Sequence, residues 1–524
     1  MAKKTWWSMM VITVMIAVAC GAPTASPTGA APTGAAPTGE PTGEPTGEPT
    51  GEPTGEPTGE PTGEPTGEPT AEPTGAPLGP AIPTTPTGYA ELDAALGADK
   101  PYNGKRVTIQ TQWILGEGAN FDAAVADFEE ATGIEIVQES IASQHELVLR
   151  TRIEGLTPPD LAMLAQPSAV VEYGGRGLTT DVATFMDPET LNSQFSAGFG
   201  TSLISDESGA IWGIPYKVDV KSTIWYPIKA FASHNYTVPT TWEEMQALAA
   251  QIVADGNGSP WCVAILDGQA TGWIATDWLE DVMLRTAGVD AYNRWITNDL
   301  KFDSPEVRAA LAVIAEQWFT DGYVYGGFQA ITATDRLEAM DAMFPPDGNW
   351  EGFTPGCWMH RQATWFGPDF FPDVRAGAEQ SQYIVGEDIG LMYFPQIDPA
   401  HGTPALGAGD TLMVLVDNAD RPEIRAVAQF LSTPFGLQRW IEAGSAISAN
   451  QTTPAEWYAN AYKLDVAAEI VGNSTSFGFD ASDLMPPEAN RAFWDGITAW
   501  IDSGGTDAAT DQFVQSVDAA WPAQ

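Results

Sequence analysis

Proline stands at every fourth position from residue 41 to residue 69 of this chain, within eight tandem GEPT units that span Gly39 to Thr70. A ring that fixes φ and removes the amide donor so often interrupts both helix and sheet ladders. Related PTGA and AEPT pieces extend the tract over residues 21 to about 88, with almost no apolar side chain to bury. The segment is therefore expected to stay a semi-extended, polyproline-II-rich tether. At about 3 Å per residue, its upper reach is on the order of 200 Å. A folded core must come from the residues that follow.

Ahead of the tether, Lys3 and Lys4 precede an apolar stretch from Trp6 to Ala19. That is a secretory leader, shorter than the roughly twenty residues a bilayer-spanning helix needs. Ala17-Val18-Ala19 leads to Cys20, which resembles a bacterial lipobox whose thiol is acylated to become the mature N-terminus. Ala17 stands where such motifs usually carry a larger aliphatic residue, so cleavage with plain secretion is the alternative. Residues 1–19 are read as signal peptide and 20–100 as lipidated cysteine plus tether. The expected location is outside the cytoplasm, with the lipid as the sole membrane contact.

With Cys20 set aside, Cys262 and Cys357 remain as an even pair in a disulfide-permissive compartment. One bridge is the favoured reading, and two buried small hydrophobes the other. The net charge is −46, and from Pro101 onward 57 acidic residues still face only 20 basic ones. A surface so negative repels phosphate backbones, which argues against a nucleic-acid partner.

From residue 101 the pattern is α/β. Val107 to Trp113 reads as a buried strand. A helix carrying Phe121, Val125 and Phe128 at helical spacing follows and stops at Gly133. Ile134 to Glu139 is the next strand, His145 to Gly155 a helix, and Leu161 to Ala165 an apolar strand after Pro158-Pro159. This order argues for a parallel sheet covered by helices. Ile211 to Trp225 reads as one long extended stretch, Thr241–Glu244 as a capping box, and Ser304-Pro305 as a helix start. Strand-like runs return at Ile389 to Phe394 and Thr411 to Val416, and amphipathic helices fill the end of the chain from about Pro454. At this length two lobes are expected.

The chain has no GxxxxGK[ST], no HExxH and no GxSxG, and its four histidines show no paired spacing. No catalytic residue, metal or cofactor is expected. Paired carboxylates for glycoside hydrolysis stay open, because such pairs lie far apart in sequence. Tryptophan stands out, with seventeen of nineteen after residue 100. Flat sugar C–H faces pack on aromatic rings while hydroxyls need planar polar partners, so the composition suits a carbohydrate pocket. About two-thirds of these tryptophans are read as core, among them Trp318, Trp494 and Trp500. Trp273 and Trp358, in Gly- or Pro-containing loops beside polar groups, are read as ligand-facing.

Four stretches carry a resemblance to the extracellular sugar-binding proteins of ABC importers, most like the α-glucoside-binding branch. They are Trp212 to Tyr226, TGWIATDWLEDVMLR from Thr271, PPDGNWEGFTPGCWMHRQA ending at Ala363, and FDASDLMP from Phe479. The resemblance implies a type II periplasmic-binding fold: two α/β lobes, a hinge, a ligand cleft and a C-terminal helical cap. Its implied boundaries are lobe 1 over 101–215, mainly lobe 2 over 216–388, a return to lobe 1 over 389–440, and helices packing across the lobes over 441–524. The implied ligand-facing residues are Trp113, Glu117, Gln166, Lys217, Asp219, Trp273, Asp277, Arg361, Gln362 and Asp410, beside the loop tryptophan Trp358. The implied partners are a neutral carbohydrate and the membrane subunits of an ABC permease, and a monomer is expected. The rival class is a secreted glycoside hydrolase, which would need an acid and a base or nucleophile facing each other in the cleft. A chemosensory receptor component would differ only in its docking partner.

Overall fold

The computed structural model describes residues 79–522, apart from 143, 196–198, 416–419 and 459–460. The leader, Cys20 and the GEPT repeats lie outside the described residues. Eleven strands follow one another along the described chain: β1 (Arg106–Thr111), β2 (Glu135–Ser140), β3 (Leu161–Leu164), β4 (Ile214–Val220), β5 (Thr223–Pro227), β6 (Ser259–Trp261), β7 (Cys357–Arg361), β8 (Ile389–Tyr393), β9 (Ala405–Val414), β10 (Ile447–Ser448) and β11 (Phe477–Phe479).

The punctuation read from sequence acts locally. Gly133 ends the helix Leu115–Thr132 at φ 73°, and its amide donates to the Glu129 carbonyl at 2.7 Å. Only glycine fits there, because a Cβ would meet the Asn103 side chain. Thr241 and Glu244 form a reciprocal capping box at the start of the helix Trp242–Ala254. Ser304 caps Pro305–Trp318, with Pro305 at the first helical position.

The strands form two sheets. The larger runs β10-β4-β9-β3-β1-β2, with β11 also on β9, and the smaller runs β6-β7-β5-β8. In the larger sheet β1 pairs in parallel with β2 and β3, as the alternating pattern predicts. Long β9 returns antiparallel between β3 and β4. Each sheet has its own apolar core. Ile109, Phe121, Phe128 and Trp440 lie in that of the larger lobe. Trp225, Trp278, Trp318, Trp358 and Trp500 lie in that of the smaller lobe.

Three boundaries differ from expectation. The tether, expected to reach residue 100, gives way earlier to folded chain, where the helix Ala90–Leu96 buries Leu92 and Ala95 in the larger lobe's core. The extended run Ile211–Trp225 is two strands in two sheets, β4 and β5, parted at Lys221-Ser222 rather than at 215/216. Strand β8, expected at the return to lobe 1, instead pairs with β5 in the smaller sheet, and the chain crosses back with β9. Periodicity reports extended backbone but not which sheet recruits it. The C-terminal residues are shared between the lobes. Trp440 and Ile441 pack in the larger lobe, whereas Phe493, Ile497 and Phe513 join the smaller lobe's core.

Cys262 and Cys357 are bridged, with Cα atoms 5.3 Å apart. The bond ties the chain just beyond β6 to the first residue of β7, two strands that already pair in parallel. Among the described residues no helix is long and apolar enough to cross a membrane.

Candidate functional site

The carboxyl ends of the parallel strands β1 and β3 open toward the smaller lobe, the usual ligand position of such sheets. Gln112 and Trp113 follow β1, and Gln166 follows β3 as the residue before Pro167, which starts the helix Pro167–Gly175. All three line a cavity whose other walls come from β4, β9 and the smaller lobe. Its volume is about 160 Å³, room for several waters or for a small polar ligand in their place.

At the larger-lobe end, Lys217 of β4 sits among three carboxylates. Its Nζ lies 2.8 Å from Asp219, 3.4 Å from Glu117 and 3.7 Å from Asp410. Its side chain is 2% exposed, and no carboxylate of the three exceeds 11%. Asp410 also accepts from Gln112 Nε2 at 2.5 Å and Trp113 Nε1 at 3.3 Å. Burial pushes the Lys217 ammonium down, but the three anions outweigh it and hold its pKa above the usual lysine value. Burial pushes Glu117 up to about 7, only partly offset by Lys217. Asp410 is raised by burial as well.

A second ammonium stands at the lobe junction. Lys221 pairs with Asp277 at 2.8 Å and with Asp480, and its Nζ lies 5.3 Å from the centre of the Trp273 ring. Burial lowers Lys221, yet Asp277 and Asp480 outweigh it and hold its pKa well above normal. Behind it, Arg361 pairs with Asp281 at 2.9 Å and Asp277 at 3.5 Å, and Asp281 also pairs with Arg285. This network joins β7 to the helix Trp273–Thr286 beneath the cavity.

The smaller-lobe wall is aromatic. Trp273 and Trp365 meet with ring centres 6.1 Å apart at 51°. One oxygen of Asp267 accepts from Trp273 Nε1 at 2.9 Å and pairs with Arg336 Nε at 2.9 Å, and Arg336 lies over the Trp365 ring at 5.3 Å. Gly272, at φ 119°, lets the Trp273 segment pass against the Trp494 backbone, where a Cβ would come within 2.5 Å of a carbonyl oxygen.

Of the residues singled out from sequence, Trp113, Glu117, Gln166, Lys217, Asp219, Trp273 and Asp410 line this cavity together. Asp277, Trp358, Arg361 and Gln362 do not. Asp277 and Arg361 form the ion network behind the wall. Gln362 is 1% exposed, and its side-chain oxygen accepts from the Ala363 amide at 2.9 Å. Trp358 packs among Phe231, His234 and Tyr236 in the smaller lobe's core and donates to the Asn257 carbonyl. Trp494, read from sequence as core, lines the cavity and keeps a buried indole N–H with no protein partner. Sequence reasoning missed Gln112, Lys221, Asp267, Arg336, Trp365 and Asp480 as lining residues. Trp365 carries the same signal as Trp358, since it lies between polar groups and Gly367-Pro368.

A family model for the bacterial extracellular solute-binding proteins matches residues 113–436. The chain belongs to this family. This solute-binding protein is 34% identical over 428 residues to the alpha-glucosides-binding periplasmic protein AglE of Rhizobium meliloti, covering 80% of this chain and 87% of the relative. It is 30% identical over 419 residues to the osmoprotective compounds-binding protein GgtB of Synechocystis sp., covering 80% and 93%. The solved structure of the bacterial solute receptor AcbH superposes with a TM-score of 0.66 at 17% identity, over 80% of this chain and 98% of that one. That likeness bears on the fold alone, and it agrees with two α/β lobes of type II.

Proposed function

We propose that this solute-binding protein captures a neutral carbohydrate, an α-glucoside or a related oligosaccharide, between its lobes and delivers it to an ABC-type permease. The observation that carries the reading is the lining of one cavity by Trp113, Trp273, Trp365 and Trp494 beside carboxylates and unpartnered amide oxygens of Gln112 and Gln166. Rings take the sugar faces, and the polar groups take its hydroxyls. The lining carries seven carboxyl side chains against three lysine and arginine side chains, which opposes an anionic ligand. AglE, an alpha-glucosides-binding protein, supports the sugar class.

In this mechanism the sugar first docks on one lobe, and rotation about the Lys221-Ser222 junction brings the other lobe over it. Closure expels water and strengthens the hydroxyl–carboxylate bonds. The closed form is what the permease reads, and the ligand leaves unchanged. Acylation at Cys20 and the tether beyond it would hold the lobes near the membrane.

Incubating the protein with a panel of glucosides should raise its melting temperature with one or a few of them and release no product. Hydrolysis of the stabilising sugar would instead favour the glycosidase reading. Trp273→Ala should cost roughly 2–4 kcal/mol of binding, the range of a buried aromatic anchor, while the melt stays near wild type. Calorimetric titration and melting of that variant test this; a collapsed melt with binding retained would assign Trp273 to the core. Deleting residues 39–70 should leave affinity within a few tenths of a kcal/mol, as expected if this proline-rich repeat serves only as a spacer. A large loss in titration would make the tract part of the site.

A further inference from the structure

Counting donors around Lys217 points to a property of the site beyond sugar capture. An ammonium has three N–H donors and a carboxylate has none. Here one ammonium faces three carboxyl groups within 3.7 Å: Glu117 from the helix Leu115–Thr132, Asp219 from β4 and Asp410 from β9. Two of the Lys217 N–H groups donate, to Asp219 at 2.8 Å and Glu117 at 3.4 Å, the third faces Asp410 at 3.7 Å, and three ionised carboxylates would leave this end of the cavity almost wholly an acceptor. Sugar hydroxyls donate and accept alike, so such an end would meet only half of what they offer. Three full negative charges against one positive charge in a nearly dry site is also costly.

We infer that Glu117 holds a proton in the ligand-binding form and serves the sugar as a hydrogen-bond donor, so that capture is linked to proton uptake at neutral and alkaline pH. Glu117 is the carboxyl suited to this role. It lines the cavity, and its 3.4 Å contact to Lys217 is longer than the 2.8 Å contact of Asp219. Asp410 is already committed as acceptor to Gln112 and Trp113. Other charges face the cluster. Lys463, on the helix Tyr462–Asn473, feels Asp219, Asp369, Lys217 and Glu117, and burial lowers it to about 8. Asp369, on the short turn Pro368–Phe370, packs against Gly116 and accepts from Asn120 at 3.2 Å. The buried position of Glu117 raises it to about 7, in the range where the linkage can be read.

The inference rests on the sugar-capture reading, and the test separates the two. Wild-type protein is titrated calorimetrically with its best-binding glucoside from pH 5.5 to 8.5, in buffers of different ionisation enthalpy. Failure of every glucoside to bind at any pH would end the sugar reading, and this inference with it. Given binding, affinity should be flat below about pH 6.5 and fall toward tenfold per pH unit above 7. Close to one proton should be taken up at pH 8. Glu117→Gln, a neutral donor of the same shape, should bind within about threefold of wild type at pH 6 and lose the decline. A decline that persists in Glu117→Gln would assign the proton to Lys463. A flat wild-type profile with no buffer dependence would overturn the inference without touching sugar capture. So would a loss of more than tenfold at pH 6 in a Glu117→Gln protein that melts normally.

Discussion

Lys217→Met should destabilise the folded protein by about 3–5 kcal/mol at pH 8, the usual cost of stripping one partner from a buried ionic group. Its ammonium is the cation that Glu117, Asp219 and Asp410 share, and removal leaves three carboxyls in a site where none exceeds 11% exposure. The chain can escape part of that cost by protonating them, which fixes the pH dependence. With Lys217 gone, Glu117 and Asp410, already raised by burial, lose the cation that lowers them, so the native state binds more protons than the unfolded one. The variant's stability must then fall as pH rises from about 4 through those raised values. Chemical denaturation of wild type and variant at pH 5 and pH 8 checks this. A loss equal at both pH values, or under 1 kcal/mol at pH 8, would show that the carboxyls do not depend on Lys217.

Replacing Cys262 and Cys357 together by serine should cost up to about 4–5 kcal/mol, the chain-entropy value for a loop of this length. The residues are 95 apart in sequence, and the bridge closes on β6 and β7, which are already hydrogen-bonded neighbours. The native lobe therefore changes little, and the effect falls on the unfolded chain, which gains freedom between its two halves. Urea denaturation with and without reductant should show the same difference in wild type and none in the double-serine protein. Free alkylation of both thiols in unfolded, non-reduced wild type would exclude the bridge.

Much of this architecture is legible in the residues themselves. Gly133, the Thr241–Glu244 box and Ser304-Pro305 act within a few residues of chain, and each delimits the expected helix end. The parallel run β2-β1-β3 follows from alternating elements. What local pattern does not carry is partnership across distance. Lys221 differs from Lys217 by only four positions in one extended stretch, yet it sits at the junction of two sheets and pairs with Asp480, 259 residues away. Trp358 and Trp365 flank the end of the same strand and share a polar, Gly/Pro-containing neighbourhood. The one inside β7 is drawn into the core, and the one in the loop beyond it reaches the cavity. Trp494 keeps helical spacing like any core residue, but Gly272 brings its backbone up to the Trp273 segment at the cavity wall.

In the proposed complex a sugar is held between the lobes on a tryptophan wall. A crystal structure with the best-binding glucoside tests it most directly. An intact sugar is expected, with one face against Trp273 or Trp365 and its hydroxyls within hydrogen-bond distance of Gln112, Gln166 or Glu117. Density for the sugar outside this cavity, or for its cleavage products within it, would rule out sugar capture on this wall.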